Sequence, residues 1–259
     1  MTTAGEMTLG EHLRELRSRL IKAVIALVAG GIVGYLIFPY VLDLLIAPYC
    51  AALEAIGAEV AADVDDPSQC NLIAFRPLEP FSVRIKTSLV IGLFVGGPVI
   101  FYQLWRFITP GLTKRERRYA LPFVALSQVM FAIGIGFAYL IIPQGLRILL
   151  FLGGERIEPF LAANEYLSFF LTMSMAFGLV FELPLVLIFL AMVGVVRAEA
   201  LRRARPYAIV IMVVAAAFIT PTTDALTLLL MAGPMLLFYE LSILAAWLIE
   251  RSRRRRAKA

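Results

Sequence analysis

The sequence predicts an all-α integral membrane protein with six transmembrane helices. Of its 259 residues, 61% are apolar and only 17% are charged, and the mean hydropathy is +0.85. About a quarter of the residues in a soluble chain are normally charged. The composition therefore excludes a cytosolic enzyme and a secreted disulfide scaffold, and we expect residues 1–259 to form a single membrane domain.

Six apolar runs justify the six helices. A helix needs roughly 20 apolar residues to cross a hydrocarbon core about 30 Å thick. The runs are Leu20–Val41, Ser88–Trp105, Tyr119–Ile142, Tyr166–Val196, Tyr207–Ile219 and Ala225–Ile249. The fifth is short, and only a few residues separate it from the sixth, which predicts a tight hairpin. Interior prolines predict kinked helices that form a concave face; these are Pro98, Pro184 and Pro234.

The basic residues predict the orientation. Nineteen of the 24 Lys and Arg residues fall on the side that would hold both termini, and five fall on the other. By the positive-inside rule both termini are cytoplasmic. Short basic clusters between apolar runs also argue against a nucleic-acid partner. The segments on this scheme are a cytoplasmic amphipathic helix over 1–19, an exported loop over 42–87 and a basic cytoplasmic tail over 250–259.

The exported loop is acidic and contains the two cysteines, Cys50 and Cys70. An exported loop lies outside the reducing cytosol, so a disulfide between them is allowed. The alternative is two cysteines that never pair.

Catalytic motifs are absent from the sequence. The only histidine is His12, so a zinc site of the HExxH kind cannot form. The sequence contains neither a phosphate-binding P-loop nor a GxSxG elbow. We therefore expect no enzyme activity and no cofactor. A gradient-coupled solute transporter and an intramembrane enzyme remain as alternatives; solute uptake by the isolated protein would favour the first, and turnover of a lipid or peptide bond the second.

Two carboxylates are predicted to face the cytoplasm beside the membrane. Glu15 lies among arginines on an amphipathic helix, and Glu116 is the only carboxylate in its loop. Each has a simpler interpretation, since Glu15 fits an i,i+4 ion pair and Glu116 fits a capping box with Thr113. Together they would suit a ligand with two guanidinium groups, because arginine pairs with carboxylate as a bidentate fork.

Glu182 is predicted to lie near the middle of the fourth span. A carboxylate at that depth costs several kcal/mol and is a functional candidate by default. The alternative is a neutral acid bonded to a carbonyl freed by Pro184. Asp224 is predicted to cap the sixth helix from the exported side.

A series of motifs spans nearly the whole chain and resembles the TatC family, the multispanning subunit of the twin-arginine protein translocase. The motifs are His12-Leu-Arg-Glu-Leu-Arg17, Ala47-Pro48, Tyr102-Gln-Leu-Trp105, Phe107 to Arg118, Phe137-Ala-Tyr139, Met175 to Pro184, Arg205-Pro-Tyr207 and Thr220 to Asp224. The resemblance implies structural roles for Pro48, Gln103 and Tyr139.

The resemblance also implies a function and a location. TatC-like proteins of the bacterial cytoplasmic membrane recognise paired-arginine signal peptides on folded cargo. They recruit TatA- and TatB-like single-span partners and further TatC copies, and the proton-motive force drives transport. The implied signal-binding residues are Glu15, Glu116, Arg17 and Phe107. The implied partner-helix residues are Glu182, Thr220 and Thr227, the last standing near a position where some relatives carry glutamine.

Overall fold

The computed structural model describes residues 9–55, 72–108, 120–152, 162–219 and 225–256. The described part of the chain forms six α-helices, joined at one place by an isolated parallel bridge between Ile73 and Ala162. The helices are α1 Leu9–Ala55, α2 Glu79–Ile108, α3 Ala120–Leu152, α4 Ala163–Val193, α5 Ala198–Ile219 and α6 Ala225–Arg256. This confirms the predicted all-α fold.

The helices alternate in direction, which gives the bundle two ends. We call the end where α1 begins and α6 ends the terminal end, and the opposite end, where α1 ends and α2 begins, the far end. Within the described residues, five helices are long and apolar enough to cross a membrane, and α5 is not among them. α5 is 22 residues long, so it is missing from that set because of its charged residues and not because of its length. The concave face and the cytoplasmic termini remain predictions.

The first helix is longer than predicted. α1 runs without interruption over 47 residues from Leu9 to Ala55, which is about 70 Å at 1.5 Å per residue. Residues 9–19 of the predicted amphipathic helix are helical and continue directly into the span; their position at the cytoplasmic interface stays a prediction. Residues 42–55 and 79–87, predicted as parts of an exported loop, are also helical. Leu45 and Leu53 explain the extension, because both are buried in the main apolar core of the bundle.

Glycines let α1 and α2 cross with their backbones in contact. A Cβ added to Gly30 would lie 2.5 Å from the carbonyl oxygen of Gly92, and one added to Gly92 would lie 2.5 Å from the backbone nitrogen of Gly31. Both obstacles are backbone atoms, so no side-chain movement could relieve them. Lipid provides no hydrophobic driving force between helices, so helices in a membrane associate largely through van der Waals packing. Small residues at the crossing allow that close packing.

A side chain from α2 compensates for the proline inside α1. Pro39 has no N–H, which leaves the carbonyl of Tyr35, four residues earlier, without its helical donor. Arg84 Nη2 donates to this carbonyl oxygen at 3.1 Å. Its guanidinium also stacks on the Tyr35 ring at 4.0 Å from the centroid. An arginine near lipid is thus held by a backbone acceptor and an aromatic face.

The same arrangement recurs at the proline of α2. Pro98 frees the carbonyl of Phe94, and Gln128 Nε2 on α3 donates to that oxygen at 3.2 Å. Gly97 leaves room for the amide in this position, since a Cβ there would lie 2.2 Å from Gln128 Oε1. Cross-helix donors therefore satisfy the backbone at two of the proline positions.

Glu79 organises the far end. Its Oε2 accepts hydrogen bonds from the backbone N–H groups of Phe75 and Arg76, at 2.9 and 3.1 Å. Its Oε1 accepts from the backbone N–H of Asn164 at 2.8 Å. The carboxyl is buried, with 8% of the residue exposed. One side chain therefore joins the first turn of α2 to the first turn of α4.

The α5–α6 pair departs from the prediction at the terminal end. α4 ends at Val193, and the positive φ of 88° at Gly194 turns the chain. α5 begins at Ala198, nine residues before the predicted start. Glu250 Oε1 accepts the backbone N–H of Ala198 at 2.7 Å. Residues 250–256 of the predicted basic tail are therefore helical, since α6 continues through them, and Glu250 among them caps α5. A second contact joins Arg205 Nη2 to Glu240 Oε2 at 2.6 Å.

Candidate functional site

Glu15 lies on the first turns of α1, at the terminal end, and it already holds a guanidinium group. Its Oε1 accepts from Arg19 Nε at 2.9 Å and also from Arg19 Nη2. The carboxyl is half-buried, with 21% of the side chain exposed. Oε2 is buried and has no hydrogen-bond partner among the described residues. A half-buried carboxylate with one unused oxygen can accept a second N–H donor.

The other predicted signal-binding residues are placed only in part. Arg17 is exposed on α1. Phe107 is half-buried in the last turn of α2, so it lies at the same end as Glu15. Glu116 lies outside the described residues, and its pairing with Glu15 across one site stays a prediction.

Glu182 lies in α4, 11 residues before the end at Val193, about 17 Å along the helix axis. Its side chain is half-buried. Its Oε1 is buried, and within the described ranges it has no hydrogen-bond partner. The carboxylate predicted in the fourth span therefore lies in α4 and is partly buried in the bundle.

A buried serine of α3, Ser127, contacts a tryptophan. Trp105 Nε1 donates to Ser127 Oγ at 2.8 Å, and both residues are buried. The indole packs against the ring of Phe123 at 4.9 Å and the ring of Phe189 at 4.6 Å between centroids. Helices α2, α3 and α4 thus meet in an aromatic cluster that places the tryptophan N–H against the serine.

Glu182 is flanked by exposed apolar side chains on its own helix. Leu179 is 57% exposed and Val186 is 38% exposed. They stand three residues before and four residues after Glu182, which places all three on one stripe of α4. We call these residues the α4 stripe. It combines an apolar surface with a single carboxyl.

The remaining partner-binding predictions fall at the far end of the α5–α6 pair. Thr220 and Asp224 lie outside the described residues, so docking at Thr220 and capping by Asp224 stay predictions. Thr227 is the third residue of α6, and nothing is described of its side chain. The structure does show α5 packed against α6, and this pair would form the surface on which a partner helix docks.

The predicted structural residues all lie in helices. Pro48 is buried in α1, and Gln103 is half-buried in α2. Tyr139 packs edge to face on Phe170, with 6.1 Å between the ring centroids. Cys50 is disulfide-bonded; its expected partner Cys70 lies outside the described residues.

Sequence reasoning missed four residues of these sites. It placed Glu79 and Arg84 in an exported loop, whereas both lie on α2 and make cross-helix bonds. It gave no role to Ser127 or to the indole of Trp105. One feature of the sequence could have identified Arg84. It is a basic residue at the edge of an apolar run, where a charge needs a nearby acceptor. A lone serine in such a run carries no comparable signal.

The fold and these groups define a multi-pass membrane protein that presents carboxylates at its terminal end and inside the bundle. Comparison with known proteins specifies the family. The family model for "Sec-independent protein translocase protein (TatC)" matches residues 11–234. The chain therefore belongs to the TatC family and is a component of the twin-arginine translocase. Members of this family are receptor subunits of a protein translocase and are not catalytic enzymes.

Individual relatives agree over most of their length. The Sec-independent protein translocase protein TatC of Frankia casuarinae is 41% identical over 97% of this chain and 69% of the relative. That of Aquifex aeolicus is 39% identical over 98% of this chain and 100% of the relative. A crystal structure of the twin arginine translocase receptor TatC is 40% identical, covers 93% of this chain and 100% of its own, and superposes with a TM-score of 0.79.

Proposed function

We propose that this chain is the signal-peptide receptor of its translocase and binds the paired arginines of folded cargo at the terminal end. The observation that carries the proposal is the geometry of Glu15. One of its oxygens binds a guanidinium group, that of Arg19, and the other is buried with no partner among the described residues. A signal arginine would add N–H donors to an acceptor that is only half used.

The distribution of charge supports a cytoplasmic position for this end. The side holding both termini has 19 of the 24 basic residues, and two of them, Arg203 and Arg205, are exposed in the first turns of α5. Basic residues are retained on the cytoplasmic face. A signal peptide arriving from the cytosol would thus meet Glu15, and on the prediction above Glu116, before entering lipid.

The α4 stripe supports a second part of the proposal, the recruitment of single-span partners. An apolar helix would pack on Leu179 and Val186, and a hydrogen-bond donor on that helix would meet the carboxyl of Glu182. In lipid such a polar contact adds selectivity to van der Waals packing. TatA- and TatB-like helices are the proposed occupants, with Thr220 and Thr227 as further contacts on the α5–α6 pair. The proton-motive force supplies the energy of transport.

Export in cells tests the proposal. A bacterium lacking its own TatC would receive this chain together with the TatA- and TatB-like proteins of the same genome. A folded fluorescent protein with an Arg-Arg signal is expected to reach the periplasm, and collapse of the proton gradient should stop it. The Lys-Lys version of the same signal is the control. Equal export of both signals would contradict arginine recognition, and export that persists without the gradient would contradict the proposed energy source.

A further inference from the structure

A cleft of about 440 Å³ opens at the start of α5, at the terminal end of the bundle. Its volume lies in the range of pockets that hold small ligands. We call it the α5 cleft, and it is lined by Arg197, Glu199, Ala200, Arg203, Ala204 and Tyr207. Two arginines and one carboxylate give the lining a net positive charge.

Both arginines of the α5 cleft are accessible to an anion. Arg197 is exposed, and its guanidinium has no hydrogen-bond or ion-pair partner among the described residues. Arg203 Nη2 pairs with Glu199 Oε1 at 3.2 Å, but both side chains are 82% exposed, and exposed pairs of this kind are weak. Because a guanidinium binds phosphate through two parallel N–H bonds, a phosphate group would take Arg203 from the carboxylate at little cost.

A third guanidinium lies beside the entrance to the α5 cleft. Arg253 Nη1 is 3.4 Å from the position that a Cβ on Gly194 would take, and Gly194 stands three residues before Arg197. The carboxyl of Glu250 at this corner already accepts the backbone N–H of Ala198. Basic charge therefore exceeds acidic charge on this side of the cleft as well.

An exposed apolar stripe leads from the α5 cleft along the helix. Its residues follow one another at intervals of four, three and four, which places them on one face of α5. We call them the α5 stripe: Tyr207, Ile211, Val214 and Phe218, all exposed. Tyr207 lies where the cleft meets the stripe, and tyrosine is enriched at the level of lipid headgroups. A basic cleft followed by an apolar stripe matches the layout of an anionic phospholipid.

We propose that the α5 cleft binds an anionic phospholipid, whose phosphate lies between Arg197 and Arg203 and whose acyl chain lies along the α5 stripe. Basic pockets beside membrane helices are known to hold anionic headgroups. The stripe favours a lipid over a soluble phosphate compound, which would leave these apolar side chains uncovered. The site is separate from Glu15 and from the α4 stripe, so it does not depend on signal binding.

Native mass spectrometry of the purified full chain in a mild detergent tests the proposal. The protein is titrated with phosphatidylglycerol and, separately, with phosphatidylcholine that has the same acyl chains. The natural chain is expected to bind phosphatidylglycerol more tightly. R197Q/R203Q should lower that affinity about 5- to 30-fold, the range for one to two basic residues at a membrane surface. E199Q should raise it, because Arg203 loses its competing carboxylate, and a merely structural role for these residues would give no such gain.

The matched control is R251Q/R255Q, which removes two exposed arginines of α6 at the same end but outside the cleft. An equal loss in this control would overturn the proposal, since diffuse charge would then attract the lipid. Equal binding of both lipids by the natural chain would also overturn it. Displacement of the lipid by excess soluble glycerol phosphate would assign the cleft to a soluble ligand instead. If melting temperatures show that R197Q/R203Q is unfolded, E199Q decides, and the absence of a gain there contradicts the proposal.

Discussion

Replacing Glu15 by glutamine is expected to lower the affinity for a paired-arginine signal peptide by about 10- to 100-fold, since truncating a desolvated charge partner costs several kcal/mol and this carboxyl is only partly buried. Glutamine keeps the shape and one acceptor oxygen but loses the charge and replaces the second acceptor with a donor. Fluorescence anisotropy of a labelled peptide, titrated with the purified protein in lipid nanodiscs, measures the change.

The chain offers a matched control for this variant. Glu199 pairs with Arg203 at 3.2 Å, four residues later, as Glu15 pairs with Arg19, but the side chain of Glu199 is 82% exposed. E199Q should leave peptide affinity unchanged, because exposed pairs contribute little. An equal loss in both variants would mean that net charge at this end attracts the peptide, and the specific role of Glu15 would be wrong.

Replacing Glu79 by alanine should have the largest effect on stability. The variant leaves the backbone N–H groups of Phe75, Arg76 and Asn164 without their acceptor and disconnects α2 from α4 at the far end. We expect the melting temperature to fall by at least about 5 °C, given the cost of unpaired donors and the usual relation between free energy and melting temperature. Thermal unfolding in detergent, followed by intrinsic fluorescence, measures it.

Glu165 provides the control for the stability prediction. It is another acidic residue at the far end, in the first turn of α4, but it is exposed. E165A is expected to leave the melting temperature nearly unchanged. A similar drop in both variants would indicate a general charge effect at the far end, and no drop in E79A would show that water replaces the carboxylate without loss.

The sequence predicted the number and order of the helices well, because the length of an apolar run indicates where a membrane helix forms. Six apolar runs became six helices in the described part of the chain. The fifth run lies in α5, a helix of 22 residues whose charged first turns keep it from qualifying as a membrane span. The boundaries of α1 and α6 were wrong for a physical reason. Leu53 extends α1 by packing in the core, and Glu250 extends α6 by capping α5. Such tertiary contacts leave no periodic pattern in the sequence.

The sequence indicated candidate site residues where a residue was anomalous in its context. A carboxylate inside an apolar run identified Glu182, and a carboxylate among arginines identified Glu15. Ser127 and Trp105 were not predictable in the same way, since serine and tryptophan are ordinary in membrane helices and their roles arise only where α2, α3 and α4 meet. The role of Arg84 is also hard to predict from sequence, because its acceptor is a backbone carbonyl on another helix.

The central claim is that paired arginines bind beside Glu15, and site-specific photo-crosslinking tests it most directly. Ser18 is exposed and lies about one turn after Glu15 on α1, so a crosslinker there leaves the carboxylate intact. Leu78, 76% exposed at the far end, is the control position. We predict that an Arg-Arg signal peptide crosslinks at Ser18 and not at Leu78, and that the Lys-Lys peptide crosslinks at neither. Equal labelling at Ser18 by both peptides would contradict the account.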